Sequence, residues 1–242
     1  MGSTRSLLIT LLVLGLIAMA GAAAMVFVVN AGSSEAPVLR DADVETPVAT
    51  DGAPGGGSIR ATTPLDENLY HDFYLPDFQL TDQDGRAIDQ SVLDGRYTVV
   101  DFFFTTCPLA CPGMNSQMQR VQGETQGSKI RLLSISVSGD YDSPAVLTAY
   151  AEKMAADPDR WRFLTGDPKY VARLVYEGLK FEVAPDDSFE IKLPGGGTMF
   201  NVQHPTKLLL IGPDHHVVAM ASYQSPEDVT ALIELAKRKA GG

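Results

Sequence analysis

Cysteine is scarce in this sequence: Cys107 and Cys111 are the two in 242 residues. So few exclude a disulfide-scaffolded fold and leave one bridge, a redox pair or a metal site. Basic charge is also in short supply, with 19 Lys and Arg against 30 Asp and Glu, a formal net charge of −11. A nucleic-acid partner requires basic patches for its phosphates, so that class is excluded. There is no internal repeat. No arginine stands close in sequence to the cysteine pair, which argues against peroxide-reducing thiol chemistry.

What is present centres on the cysteines. Thr105-Thr106-Cys107-Pro108-Leu109-Ala110-Cys111-Pro112 follows the most strand-like run, residues 97–104, and precedes a helical pattern over residues 114–122. Two sulfurs therefore stand at a strand-to-helix junction. Pro108 and Pro112 each disfavour the α conformation in the preceding residue, so both cysteines are expected to be extended, with Cys111 the helix N-cap and Pro112 its first residue. The free N–H groups and positive dipole end there favour an anion, which lowers the thiol pKa of at least one cysteine.

The apolar run over residues 7–29 is long enough to cross a bilayer, which takes about 20 residues. Arg5 marks the cytoplasmic side, so the chain reads as a single-pass protein whose C-terminal part is extracytoplasmic. Ala18-Met19-Ala20 fits a signal-peptide cleavage site, but the run continues to Val29, which favours an uncleaved anchor. The short leader, not rich in arginine, places the chain in a bacterial cytoplasmic (inner) membrane with its domain facing the periplasm or extracytoplasmic side. Residues 30–69, with Gly55-Gly56-Gly57-Ser58, read as a flexible tether. The folded domain is expected over residues 70–242.

Within it, residues 78–88 predict a hairpin turning at Asp84-Gly85. Strands at 97–104, 130–137 and 161–164 alternate with helices at 114–122, 143–155 and 168–178, the last with Pro at its start and Gly at its end. Residues 181–200, with Pro194-Gly195-Gly196-Gly197, predict an inserted hairpin. Strands at 207–211 and 216–222 and a helix at 225–239 follow. The class is α/β, with a mixed sheet covered by helices, an N-terminal β-hairpin and an inserted hairpin before the last strands.

A strand, a cysteine pair, a helix and a late strand preceded by proline resemble the thioredoxin fold. Cys107-x-x-x-Cys111-Pro112, with His204 ahead of Lys207-Leu208-Leu209-Leu210-Ile211-Gly212-Pro213-Asp214, is similar to the Sco/SenC family of copper metallochaperones. The resemblance covers residues 78 to the C-terminus and implies metal ligation by Cys107, Cys111 and His204. It also implies delivery of copper to, or reduction of, the copper site of cytochrome c oxidase. The chain departs from the family pattern at Leu109 and Ala110, where an acidic residue is usual, and at Gln203 and Pro205 on either side of the histidine. His204-Pro205-Thr206 is also similar to the thioredoxin segment in which a cis proline faces the cysteines.

Two thiolates and an imidazole suit Cu(I), which prefers soft ligands, better than structural zinc, which requires a fourth donor. The same cysteines can cycle between dithiol and disulfide. The alternative to the copper chaperone is therefore a membrane-anchored thiol-disulfide oxidoreductase in which Cys107 and Cys111 are catalytic and Pro205 positions the substrate. Its partners would be other thiol-redox or copper proteins. An inert disulfide across so short a loop gains little from chain entropy. Met114 and Met118, at helical spacing, read as core, as do Phe102, Phe103 and Phe104, with Phe104 also placed to shield the sulfurs. Asp140 and Asp142 read as caps of the next helix, His215 and His216 as a solvated turn pair, and His71 as incidental.

Overall fold

The computed structural model describes residues 69–241. The expected anchor at 7–29, and the tether up to residue 68, lie outside the described residues. Among those described, no helix is long and apolar enough to cross a membrane.

Strands β1 (Gln79–Asp82) and β2 (Ala87–Asp89) form the expected antiparallel hairpin, with Leu80 opposite Ile88 and Gly85 at φ +79° in the turn. Asp82, fully buried, accepts from the backbone N–H groups of Asp84 and Arg86 and pairs with Arg162 at 2.6 Å. That pair ties β1 to the strand that carries Arg162. A 3-10 turn, Gln90–Leu93, leads to β3 (Thr98–Phe103), α1 (Cys111–Glu124), β4 (Arg131–Ser136), α2 (Pro144–Lys153), β5 (Trp161–Thr165) and α3 (Pro168–Leu179). Then come β6 (Ala184–Lys192), β7 (Thr198–Gln203), β8 (Lys207–Ile211), β9 (Val217–Ser222) and α4 (Pro226–Lys239). Each α-helix has a proline in its first turn, where the missing N–H costs no intrahelical bond.

Seven strands form one mixed sheet in the order β2-β1-β5-β4-β3-β8-β9. β3, β4 and β5 are parallel neighbours, while β8 joins β3 antiparallel. All six residues of β3 are buried, as befits a strand with neighbours on both sides and helices above it. The expected inserted hairpin is present as a separate two-stranded sheet, β6-β7, with an irregularity between Asp186 and Glu190.

Helix α3 outruns its expected end. It passes Gly178 and stops at Lys180, whose φ of +59° is left-handed. Gly178 has a different role: a Cβ there would sit 2.2 Å from the carbonyl oxygen of Tyr74, so its hydrogen lets the entering chain lie against the helix.

Candidate metal centre

The cysteine loop begins where β3 leaves the sheet. The Cys107 N–H donates to Phe104 O at 3.2 Å, folding the chain back at once. Helix α1 then starts earlier than expected, with Ala110 as N-cap and Cys111 as its first residue. Cys111 is therefore helical, not the extended N-cap that Pro112 suggested. Pro112 as second residue occupies a position whose N–H has no intrahelical partner, so local geometry permits the helix to extend back over it without losing a bond. Ala110 O accepts from the Met114 N–H at 3.0 Å. Cys111 thereby joins Met114 and Met118 on the buried face of α1.

A second correction concerns Asp142. It does not cap α2, whose N-cap Ser143 makes no side-chain cap bond. Asp142 is fully buried and turns the other way, accepting from the Thr105 N–H at 3.1 Å, from the Thr105 hydroxyl and from the Ser136 hydroxyl. The start of the cysteine loop is thus held from the loop that follows β4. Burial pushes the Asp142 carboxyl up, and these hydrogen bonds oppose it.

His204 follows directly on β7, so the inserted hairpin delivers it. Its Nε2 lies 3.8 Å from Cys111 Sγ, and the ligand atoms of Cys107, Cys111 and His204 all fall within 4.8 Å of one another. The tautomer follows from the partner: His204 Nδ1 lies 3.1 Å from Pro205 O, and a carbonyl only accepts, so Nδ1 carries the proton. Nε2 is the ring nitrogen that faces the sulfurs. The Phe104 ring, fully buried, meets the imidazole edge-on at 5.7 Å and closes the inner side. The described residues contain no cis peptide bond, so the bond before Pro205 is trans.

Both cysteines are free and buried, Cys107 at 9% exposure and Cys111 at 1%. The Cys111 thiol donating to Cys107, against the cost of burial, pulls the Cys107 thiol down to about 4, with His204 and the backbone of Cys111 and Leu109 helping. Cys111 moves the opposite way, raised by that same bond, by burial and by the neighbouring thiolate. The pair is thus one thiolate and one thiol sharing a proton. The expectation of at least one acidic cysteine is met, chiefly through the neighbouring thiol.

Three residues near the site escaped the sequence reading. Met199 on β7 accepts a hydrogen bond from the Thr106 hydroxyl at 3.3 Å, and nothing in the sequence signals it. Thr105 is the anchor of the loop just described. Asp101, fully buried on β3, accepts from Ser134 Oγ at 2.6 Å, which in turn accepts from the Trp161 indole at 2.9 Å. Asp101 did leave a signal: it is the one charge inside an apolar strand run. The remaining histidines lie elsewhere. His216 is not simply solvated but stacks on His71 at 5.2 Å, and His215 pairs with Asp94 at 2.8 Å.

The SCO1/SenC family model matches residues 67–238. A SCO1 protein homolog from Bacillus subtilis (strain 168) is 31% identical over 145 residues, 58% of this chain and 69% of that protein. The fold superposes on BsSco, a member of the Sco family of cytochrome c oxidase assembly proteins with an identified disulfide switch. The TM-score is 0.58 at 25% identity, over 70% of this chain and 95% of that one. Copper-bound ScoI of Bradyrhizobium japonicum superposes with a TM-score of 0.54 at 25% identity, over 67% of this chain and 99% of that one.

Proposed function

The chain belongs to the SCO1/SenC family, and on that premise we propose that it is a copper chaperone whose Cys107, Cys111 and His204 hold Cu(I). The observation that carries this reading is the convergence of two sulfurs and one imidazole within 4.8 Å. Among the described residues no further histidine, cysteine or carboxylate joins that group, and three soft or borderline donors fit Cu(I) better than tetrahedral zinc. Cys107 offers a ready thiolate, whereas Cys111 gives up its proton as the metal enters. His204, the least buried of the three and held only by Pro205 O, is the donor that opens most easily.

The chain is further proposed to sit in a bacterial cytoplasmic membrane through residues 7–29, with residues 30–69 as a tether and residues 70–242 as the copper domain on the extracytoplasmic side. The apolar run, the Gly/Ser-rich composition after it and the family membership support this. The acceptor would be the copper-bearing subunit of cytochrome c oxidase, supported by the assembly role of BsSco. Mixing the Cu(I)-loaded full-length chain with the copper-free subunit tests it: copper should move to the subunit and the chain should emptied of metal in step. Copper that stays with the chain would overturn delivery.

One observation favours a second reading. A low-pKa, slightly exposed Cys107 beside a buried, protonated Cys111 is the arrangement of an attacking and a resolving thiol. A thiol-disulfide exchange role would give a reductase activity that survives His204→Ala.

A further inference from the structure

The hairpin that delivers His204 touches the cysteine loop a second time, through Met199. Along β7 the side chains alternate, with Met199 buried at 7% exposure and Phe200 turned out at 47%. Met199 thus lies on the inner face of the hairpin, and its sulfur is fixed by the hydroxyl of Thr106, the residue immediately before Cys107. Packing alone would be served by any aliphatic side chain. A thioether held against the residue that precedes Cys107 is also a neutral, soft donor for Cu(I).

We propose that Met199 is the transfer ligand of the site, taking the place of His204 on Cu(I) as copper leaves for its acceptor. This rests on the copper reading of Cys107, Cys111 and His204. The step is a ligand exchange. The bond from copper to His204 Nε2 breaks, a bond to Met199 Sδ forms, and copper remains Cu(I) with no electron or proton moved, because both donors are neutral. Thr106 releases the sulfur and its hydroxyl turns to water. The exchange keeps three donors on the metal while the imidazole side opens to the acceptor.

The test uses the full-length chain labelled with selenomethionine and loaded with Cu(I). X-ray absorption of the His204→Ala variant should show selenium bound to copper, and that signal should vanish in His204→Ala/Met199→Leu. Transfer of Cu(I) from Met199→Leu to a chelator should be slower by about tenfold than from the parent chain, as for supporting residues of other metal sites. Should Met199→Leu fail to fold, Thr106→Val gives the reverse effect, since freeing the sulfur should speed transfer. No copper–selenium signal in His204→Ala together with unchanged transfer in Met199→Leu or Thr106→Val overturns the inference alone. A reduced parent chain that takes up no Cu(I) overturns the copper reading and this inference with it.

Discussion

Asp142 accepts two hydrogen bonds from the single residue Thr105, one from its N–H and one from its hydroxyl, and so fixes the start of the cysteine loop from 37 positions away in sequence. With the Ser136 hydroxyl as a third donor, the carboxylate is buried and satisfied.

Asp142→Ala leaves the buried Ser136 hydroxyl and the two half-buried Thr105 donors without their acceptor. An orphaned buried donor costs about 1–3 kcal/mol, and the half-buried Thr105 groups recover most of theirs from water, so urea unfolding should show a loss on the order of 2–4 kcal/mol. Slower alkylation of Cys107 near pH 6 should accompany it, because the loop that aligns the two sulfurs has lost its tie.

Alkylation also reports the division of labour between the cysteines. With its thiol pulled down to about 4, Cys107 is ionised at every pH above that, so its reaction with iodoacetamide should change little between pH 8 and 5 and fall below. Cys111, raised, should react far more slowly throughout. Cys111→Ala removes the donor that does most to lower Cys107, so the rate at pH 6 should drop. A rate that instead climbs steadily from pH 6 to 9 in the parent chain would contradict the assignment.

Asp101 makes a prediction about stability. Burial raises its carboxyl to about 6 from an ordinary value of 3.8, against the lowering effect of Ser134. The folded chain therefore holds that proton more tightly than the unfolded one. Its contribution is fully present below about pH 4 and is lost as pH rises through 6. Asp101→Asn keeps an acceptor for Ser134 and removes the buried charge, so stability at pH 7 should rise by about 3 kcal/mol, and the slope between pH 4 and 6 should flatten. Urea titrations at pH 4 and 7 read both effects.

Gly178→Ala separates fold from site. The added methyl meets backbone at 2.2 Å, which has no rotamer to escape through, so a loss of roughly 1–3 kcal/mol is expected in thermal or urea unfolding. The alkylation profile of Cys107, far along the chain from this contact, should keep its shape.

Much of this architecture was legible in the residues. The Asp84-Gly85 turn, the apolar run ending at Phe104, prolines at helix starts and the Gly-rich turn of the inserted hairpin each act through local backbone geometry, which a sequence displays directly. The three residues of the candidate site were legible through the resemblance, and the hairpin brings His204 within reach of the two sulfurs. What local rules missed was decided by tertiary contacts. Asp142 looked like a helix cap because carboxylates before helices usually are, yet Thr105 and Ser136 outbid the helix N-terminus. Cys111 looked extended because Pro112 follows it, yet packing of Met114 and Met118 in the core draws the helix one residue further back. The stacking of His216 on His71 joins residues 145 apart, which no local pattern encodes.

The most direct measurement is the Cu(I) stoichiometry and affinity of the fully reduced full-length chain, purified without oxygen, beside Cys111→Ser and His204→Ala. The account predicts one tightly held copper per chain, lost in Cys111→Ser and weakened by about 10- to 100-fold in His204→Ala. Equal copper content in the parent and Cys111→Ser would contradict it.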